Sequence, residues 1–577
     1  MNTRLILLYF FLSLITVDGI SQSETFTSKR VVNPTTNAGR FRHPFAMVMG
    51  PDDSLWITER RGYVMKVSTV NGGKHQLLDV LTQVRFTSSA GSISQDGMLG
   101  IALHPELNMG TGNDKVFLAW CYDSVGLRRV RIVRYDYNRN VPSLTNPVVI
   151  IRGLHGSNDH NAGKLMIGNY GTAMSPDYKL VYSCGDRGAN QFSNACDSIE
   201  SQYIPTLADV EAGNTRRYNG KILRMNLDGS IPSDNPLING SRTHIFSFGH
   251  RNPQGLYFQR DNNNDIIPGG KLYSSEMGPA SNDEVNIIES GKNYGWPRVA
   301  GVQDNNWYKY YKWAGTAGCS SYGGECSSNQ VNLGSTESSF SSPVYTNPIF
   351  DLYPGTPPGG TSCNYLLYPT IAPSSIVHYP FSLRIPGWEN SLLITTLKTG
   401  AMYRLKLNAS GDAALSVADS VIQYFREPTA LNRYRDIALG KDGITIFLLT
   451  DSIGGTSGPT AGMNGGITDR GSILEFKYTG ALLSLPTDPA FVNNEKLTLR
   501  MYPNPASKIL FIESKRNVSK PISYHIFDMS GRTVLSGTSS RDKTEVNIER
   551  LLPGVYTVRM FNGRDVMIQT EKIIVQR

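Results

Sequence analysis

The chain has 577 residues, too many for a single hydrophobic core, so one large domain and a smaller one are expected. With 18% charged and 40% hydrophobic residues the composition excludes extended disorder, and 56 Gly, 31 Pro, 29 Tyr and 21 Phe suit short strands and tight turns, an all-β class, better than a helical bundle. The net charge of +8 permits an anionic partner, but pairs such as Arg60-Arg61 and Arg128-Arg129 sit in strand-like text and read as solvated faces, so no nucleic-acid partner is expected.

Residues 1–21 read as a signal peptide: Arg4, the apolar run Leu5 to Val17, and small residues up to Ser21 before a cut. That run is too short to span a bilayer. An exported protein can oxidise its cysteines, and the close pairs Cys184/Cys196 and Cys319/Cys326 are disulfide candidates, with Cys121 and Cys363 left over.

From residue 22 to residue 485 one pattern recurs, an alternating apolar strand, a Pro-Asp or Asp-Gly turn, and a second apolar strand ending near a charge. Clear copies run Phe45 to Glu59, Leu165 to Asp186 and Asp436 to Asp451, with looser ones at Leu99 to Trp120, Gly255 to Glu276 and Ile376 to Lys398. Six copies predict a six-bladed β-propeller, whose inner strand ends converge on one face of a central channel. Glu59, Asp186, Glu276, Lys398 and Asp451 are therefore expected near the axis, a charge concentration that a ligand or metal would compensate.

Polar loops punctuate these copies. Asp159-His160 lies in a Gly-bounded loop; a histidine beside a carboxylate suits a general base for an alcohol proton, with Asp159 in support. In Gly249 to Gly255, Arg251 offers a fixed donor fork and Asn252 an amide. The Gly278-Pro279 corner, followed by Asp283-Glu284, offers the hard oxygens calcium prefers, whereas Asp261 to Asp265 lacks the Gly and closing Glu of a calcium loop and reads as a turn. In Asn432 to Asp436, strand alternation puts Arg433 and Arg435 on one face, where they repel unless an anion lies between them. No Gly-rich phosphate fingerprint occurs, which argues against a nicotinamide dinucleotide or a nucleotide triphosphate.

The ordered set GPDDSLWITER, QDGMLGIALHP, DHNAGKL, GHRNPQGL, SEMGP, NYGWPRVAG and NRYRD resembles the soluble pyrroloquinoline-quinone (PQQ) dependent glucose dehydrogenases, the glucose/sorbosone dehydrogenase family. The resemblance implies a PQQ- and calcium-dependent aldose oxidation to the lactone, with His160 as base and Arg251 beside the quinone. It assigns the cofactor to Gln95, Asn252, Lys398, Arg433, Arg435 and Tyr368, and the sugar to Asp186, Gln191 and Tyr365. The carbonyls of Gly278 and Pro279 match a catalytic calcium site, and Glu284, Tyr294, Ala300 and Asp304 a second one. Tyr368 stands where the family has Trp, Leu367 replaces a loop cysteine, and Asn190 to Tyr218 differs in content, Cys196 included. An external electron acceptor and homodimerisation are further implications. The competing classes are a non-catalytic secreted propeller binding glycans or proteins, and a calcium-dependent hydrolase, neither of which needs so many cations around one base.

After a linker at 486–496, residues 497–577 alternate cleanly and are expected to form a small C-terminal β-sandwich. Tyr502-Pro503-Asn504-Pro505, Asp528-Met529-Ser530-Gly531-Arg532, Leu552-Pro553-Gly554-Val555-Tyr556 and the last strand Lys572 to Val575 resemble the sorting domain of the type IX secretion system of Bacteroidetes. That resemblance implies contact with the type IX machinery and a secreted or outer-membrane surface location, reached through the periplasm.

Overall fold

The computed structural model describes residues 24–32, 39–89, 92–215, 217–279, 281–312, 334–354, 369–382, 384–416, 420–426, 432–453, 469–480, 499–514, 522–528, 533–539, 543–561 and 567–576. Tyr365, Tyr368, Cys319, Cys326, Cys363, the signal peptide and the linker lie outside them. The chain divides into two units, residues 1–482 and 483–577.

The first unit holds six four-stranded antiparallel sheets. Their first two strands are Pro44–Met49 and Ser54–Glu59, Met98–Leu103 and Lys115–Ser124, Ala162–Asn169 and Tyr178–Cys184, Pro253–Phe258 and Leu272–Glu276, Pro373–Tyr379 and Ser391–Thr396, and Tyr434–Leu439 and Thr445–Thr450. Each recurring sequence unit coincides with one such pair. Every first strand lies against the first strands of the neighbouring sheets, and that of the sixth against that of the first, which makes the ring of a β-propeller. The sixth sheet takes its outer strand from the start of the chain: Phe26–Val32 pairs antiparallel with Ile473–Tyr478.

Packing follows from strand alternation, which gives each sheet two apolar faces sandwiched by its neighbours. Leu99 and Phe117 of the second sheet share one buried cluster with Leu165 and Tyr182 of the third, and Val377 of the fifth shares another with Ile437 and Leu448 of the sixth. The core therefore sits between blades, and the axis is polar. Across it Lys164, on the third sheet, reaches Asp436 of the sixth at 2.8 Å and Ser375 Oγ of the fifth at 3.0 Å, all three buried.

The second unit has a three-stranded sheet (Leu499–Tyr502, Ile509–Ser514, Lys543–Asn547) and a four-stranded one (Ile522–Phe527, Thr533–Ser539, Gly554–Phe561, Met567–Val575). Leu510, Ile512 and Val546 from the first meet Ile526, Val558 and Ile573 from the second in one core, as in a sandwich.

The disulfide expectation is corrected. Cys184 closes a buried strand as a free thiol, like Cys121, while Cys196 is disulfide-bonded, so the two are not paired with each other. Twelve residues of separation say little when one cysteine faces an interblade core and the other lies on a surface loop.

Candidate active site

Antiparallel pairing fixes where the polar residues gather. In five of the six sheets the start of the first strand is opposite the end of the second: Pro44 pairs with Glu59, Ala162 with Cys184, Pro253 with Glu276, Pro373 with Thr396, Tyr434 with Thr450. The loops entering first strands, with His160, Arg251 and Arg433, thus share one edge with Asp186, Glu276, Lys398 and Asp451. The acids themselves sit one strand further from the axis than expected, because they end second strands and not innermost ones.

His160 is buried, with a φ of +42° that disfavours any residue carrying a Cβ. Its Nδ1 lies 2.8 Å from Oδ1 of Asp186, which also accepts the Gly188 amide at 2.8 Å, while Oδ2 accepts Trp296 Nε1–H at 2.9 Å. Asp186, matched by resemblance to a sugar contact, is thus occupied in holding the His160 imidazole. Gln191 Nε2 lies 3.2 Å from His160 Nε2 and 3.0 Å from Asp159 Oδ2, and its Oε1 accepts from Arg251 at 3.0 Å. Asp159 stands beside the ring, 3.9 Å from Nε2, and is tethered by Gln95. A cleft lined by Gln191, Pro279, Trp296, Trp307 and Tyr308 opens next to this group.

Glu276 proves to be scaffolding. Its carboxylate accepts the backbone amides of Arg251 and Asn252 and faces His250 Nδ1 at 3.0 Å, shaping the second loop without entering the pocket. Asn252 in turn accepts the Ala162 amide at 3.1 Å, tying this loop to the His160 loop.

Around the sixth sheet the arginine expectation changes. A bulge at Arg435 interrupts alternation, and the anion between the two arginines is the protein's own Asp451, 2.6 Å from Arg435 and 3.6 Å from Arg433. Burial opposes ionisation of Asp451, but Arg435, Arg433 and Arg60 outweigh it and pull its carboxyl down to about 2. Arg60, read from sequence as solvated, is buried, and burial together with Arg435 brings its guanidinium down to about 10. Arg128 likewise is held by buried Asp96 at 2.8 Å. A buried cation and a surface cation look alike in sequence; position directly after a second strand was the available signal for Arg60. Burial lowers Lys398 too, opposed by Asp283.

This donor set fits a multiply anionic, acceptor-rich group. Arg251 Nε, Asn252 Nδ2 and Arg435 Nε are buried without an acceptor, and one carboxylate, Asp451, faces three arginines.

A second polar cluster occupies the fourth sheet. Glu276, Glu284 and Asp351 stand in register on three adjacent strands. Burial, with Glu276 next, pushes Glu284 well above the usual carboxylate range, and burial pushes Asp351 up to about 6. Oδ1 of Asp351 is buried without a donor. Glu337, missed in the sequence, accepts the amides of Ala300 at 3.0 Å, Asp304 at 3.2 Å and Asn305 at 2.9 Å, and thereby brings that loop in. The Tyr294 hydroxyl instead donates to the Ile287 carbonyl. Among the described residues no three His, Cys, Asp or Glu side chains form a metal cage alone, so a cation here would draw on backbone carbonyls as well. At Gly278 a Cβ would lie 1.9 Å from the Ser281 carbonyl oxygen, so the tight corner before Pro279 requires glycine.

The architecture is that of a β-propeller dehydrogenase. An aldose sugar dehydrogenase from Streptomyces coelicolor, solved with PQQ bound, is similar in fold with a TM-score of 0.50 and 23% identity, covering 79% of this chain and 99% of that one. A solved glucose dehydrogenase gives 0.52 and 22%, covering 79% and 100%. In sequence the chain is 33% identical over 477 residues to quinoprotein glucose dehydrogenase B of Acinetobacter calcoaceticus, covering 79% of this chain and 92% of that protein. Residues 41–315 and 345–457 match the Glucose / Sorbosone dehydrogenase family, to which the chain belongs, and which makes it an oxidoreductase. Residues 500–576 match the secretion system C-terminal sorting domain, the mark of type IX export.

Proposed function

We propose that the chain oxidises an aldose at C1 to the lactone, using PQQ and calcium, with His160 as the base. One observation carries this reading: His160 offers Nδ1 to the Asp186 carboxylate at 2.8 Å, so the ring proton belongs there and the Nε2 lone pair is presented to the cleft. Gln191 Nε2, 3.2 Å away, donates to that lone pair in the resting site, and a sugar hydroxyl would take its place.

When bound, PQQ supplies a quinone carbon that accepts the C1 hydride, and calcium a Lewis acid that polarises it. His160 Nε2 takes the anomeric hydroxyl proton as the C1–H bond breaks, and Asp186 stabilises the imidazolium that results. Arg251, held by Gln191 and the Met277 carbonyl, would stabilise the charge that develops on the quinone oxygen. Gln95, Asn252, Lys398, Arg433 and Arg435, with Arg60 added, would hold the cofactor's carboxylates, and Tyr365 and Tyr368 would complete the sugar side. Gly278 and Pro279 would serve the catalytic calcium; Glu284, Ala300, Asp304 and the Tyr294 backbone the second. An external acceptor reoxidises the enzyme, and family analogy makes it a homodimer. Removal of residues 1–21, and later of the tail beyond the 486–496 linker, would leave the propeller at the outer surface or released.

The test is reconstitution of the apo-protein with PQQ and calcium, followed by dye reduction with a panel of aldoses. Turnover that requires both additions is expected. A protein that binds no PQQ is instead a non-catalytic propeller.

A further inference from the structure

Five side chains close on themselves at the site. Trp296 Nε1 donates to Asp186 Oδ2 at 2.9 Å; Asp186 Oδ1 meets His160 Nδ1 at 2.8 Å; His160 Nε2 meets Gln191 Nε2 at 3.2 Å; Gln191 Oε1 accepts from Arg251 at 3.0 Å. The Arg251 guanidinium then lies over the Trp296 ring, 5.4 Å from its centroid. Trp296 touches both the carboxylate behind the base and the cation, and it comes from the long connection between Asp283–Ile287 and Phe350–Leu352, remote in sequence from both.

The indole is itself firmly placed. Its backbone amide donates to the Gly249 carbonyl at 2.9 Å, and its carbonyl accepts Gln202 Nε2 at 2.8 Å. The ring packs on Tyr308 at 5.8 Å. The preceding Gly295 has a φ of +88°, and a Cβ there would come within 2.8 Å of Val299. A fixed donor matters because a carboxylate turns readily about its last torsion. With both oxygens engaged, the Asp186 plane is set and Oδ1 stays on the imidazole; with Oδ2 released, the carboxylate can swing and the base loses its orientation. The face of the ring, meanwhile, supports a guanidinium whose Nε finds no acceptor.

We propose that Trp296 is a positioning residue that holds base and cation in one geometry, its N–H fixing the Asp186 carboxylate behind His160 and its ring face carrying Arg251. This rests on the reading of His160 as the base. The groups facing the imidazole are Asp186, Asp159 and, through Gln191, Arg251.

Two replacements separate the N–H from the ring. Trp296→Phe keeps an aromatic face; 3-benzothienylalanine at position 296 keeps the full shape and puts sulfur where the N–H was, so it guards against a folding defect. In the apo-protein, 15N spectra of the His160 ring should report a single Nδ1–H tautomer in the wild type and a mixture in both variants. In protein loaded with PQQ and calcium, kcat should fall 10- to 100-fold, in the range seen when groups behind a first ligand shell are removed, with the sugar KM within about twofold. The acid limb of the kcat profile should move to lower pH, because a carboxylate that swings away no longer stabilises the protonated imidazole. An unchanged tautomer with an unmoved pH profile overturns the proposal, even if stability falls. If the wild type oxidises no aldose, the functional reading fails, yet the spectra of the apo-protein still decide whether Trp296 sets the Asp186–His160 pair.

Discussion

Oδ1 of Asp186 lies 2.8 Å from Nδ1 of His160, at a buried point that a bound sugar does not need to reach. Asp186→Asn would place an amide there, and an amide N–H facing Nδ1 favours the tautomer with the proton on Nε2. We expect kcat to drop by roughly 10³ to 10⁴, as when a buried orienting carboxylate is neutralised in other histidine-based sites, with PQQ affinity retained. Stopped-flow dye reduction and a PQQ titration check the two halves separately.

Asp451 answers three arginines. Its folded-state pKa, near 2, is below the unfolded value near 3.9. The carboxylate therefore contributes stability that is present above about pH 4 and is lost as pH falls toward 2. Asp451→Asn should cost about 3 kcal/mol at pH 7, because cations are left unbalanced in the interior. Urea midpoints measured from pH 7 down to 3 should show the gap between wild type and variant narrowing only below about pH 4.

Asp351 has the opposite sign. Its pKa is raised to about 6, so without a cation the folded state loses stability as pH rises from about 4 to 6. Asp351→Asn should remove that loss, making the metal-free variant more stable than the metal-free wild type at pH 7. Calcium at a hundredfold excess over its dissociation constant should stabilise the wild type by about 2.7 kcal/mol and the variant much less. Thermal melts in EDTA and in calcium provide the comparison.

Gly185 passes against the His160 loop: a Cβ there would sit 2.0 Å from the His160 carbonyl oxygen. Gly185→Ala should displace the loop, costing about 1–3 kcal/mol of stability and about 100-fold in kcat, since shifts near 1 Å are enough. A crystal structure of the variant with a displaced His160 would account for both.

Residues 483–577 have their own core and match a sorting domain across 500–576. Truncation before residue 500 should leave a dehydrogenase in the periplasm with unchanged specific activity. Cell fractionation against the full-length chain gives the readout.

Much of this molecule was legible in its sequence. The six hairpins stood out because each turn carries Pro, Asp or Gly between alternating apolar runs, and the His160, Arg251 and Arg433 loops stood out as polar text between them. Strict period-2 alternation was the reading that failed. The first strands carry register shifts near their starts, as at Pro253/Gly255 and Tyr434/Asp436, so Arg435 escapes the simple face assignment. Arg60 was missed because composition does not separate a buried cation from a solvated one. Asp351 and Glu337 lie far along the chain from Glu284, and only strand pairing and loop closure bring them together. Cys184 illustrates the converse, a near neighbour in sequence that faces another compartment.

The strand Phe26–Val32, which completes the last sheet beside Ile473–Tyr478, has a bearing on the order of events in the cell. The ring can be shut only when the final propeller strand has been synthesised, so for most of translation the first strand waits without its partner. His160, Arg251 and Arg435 come from three different sheets, and their common pocket exists only once that late seam is sewn. A chain that ended between Asp451 and Ile473 would carry the His160, Arg251 and Arg435 loops and still lack the strand against which Phe26–Val32 closes the ring.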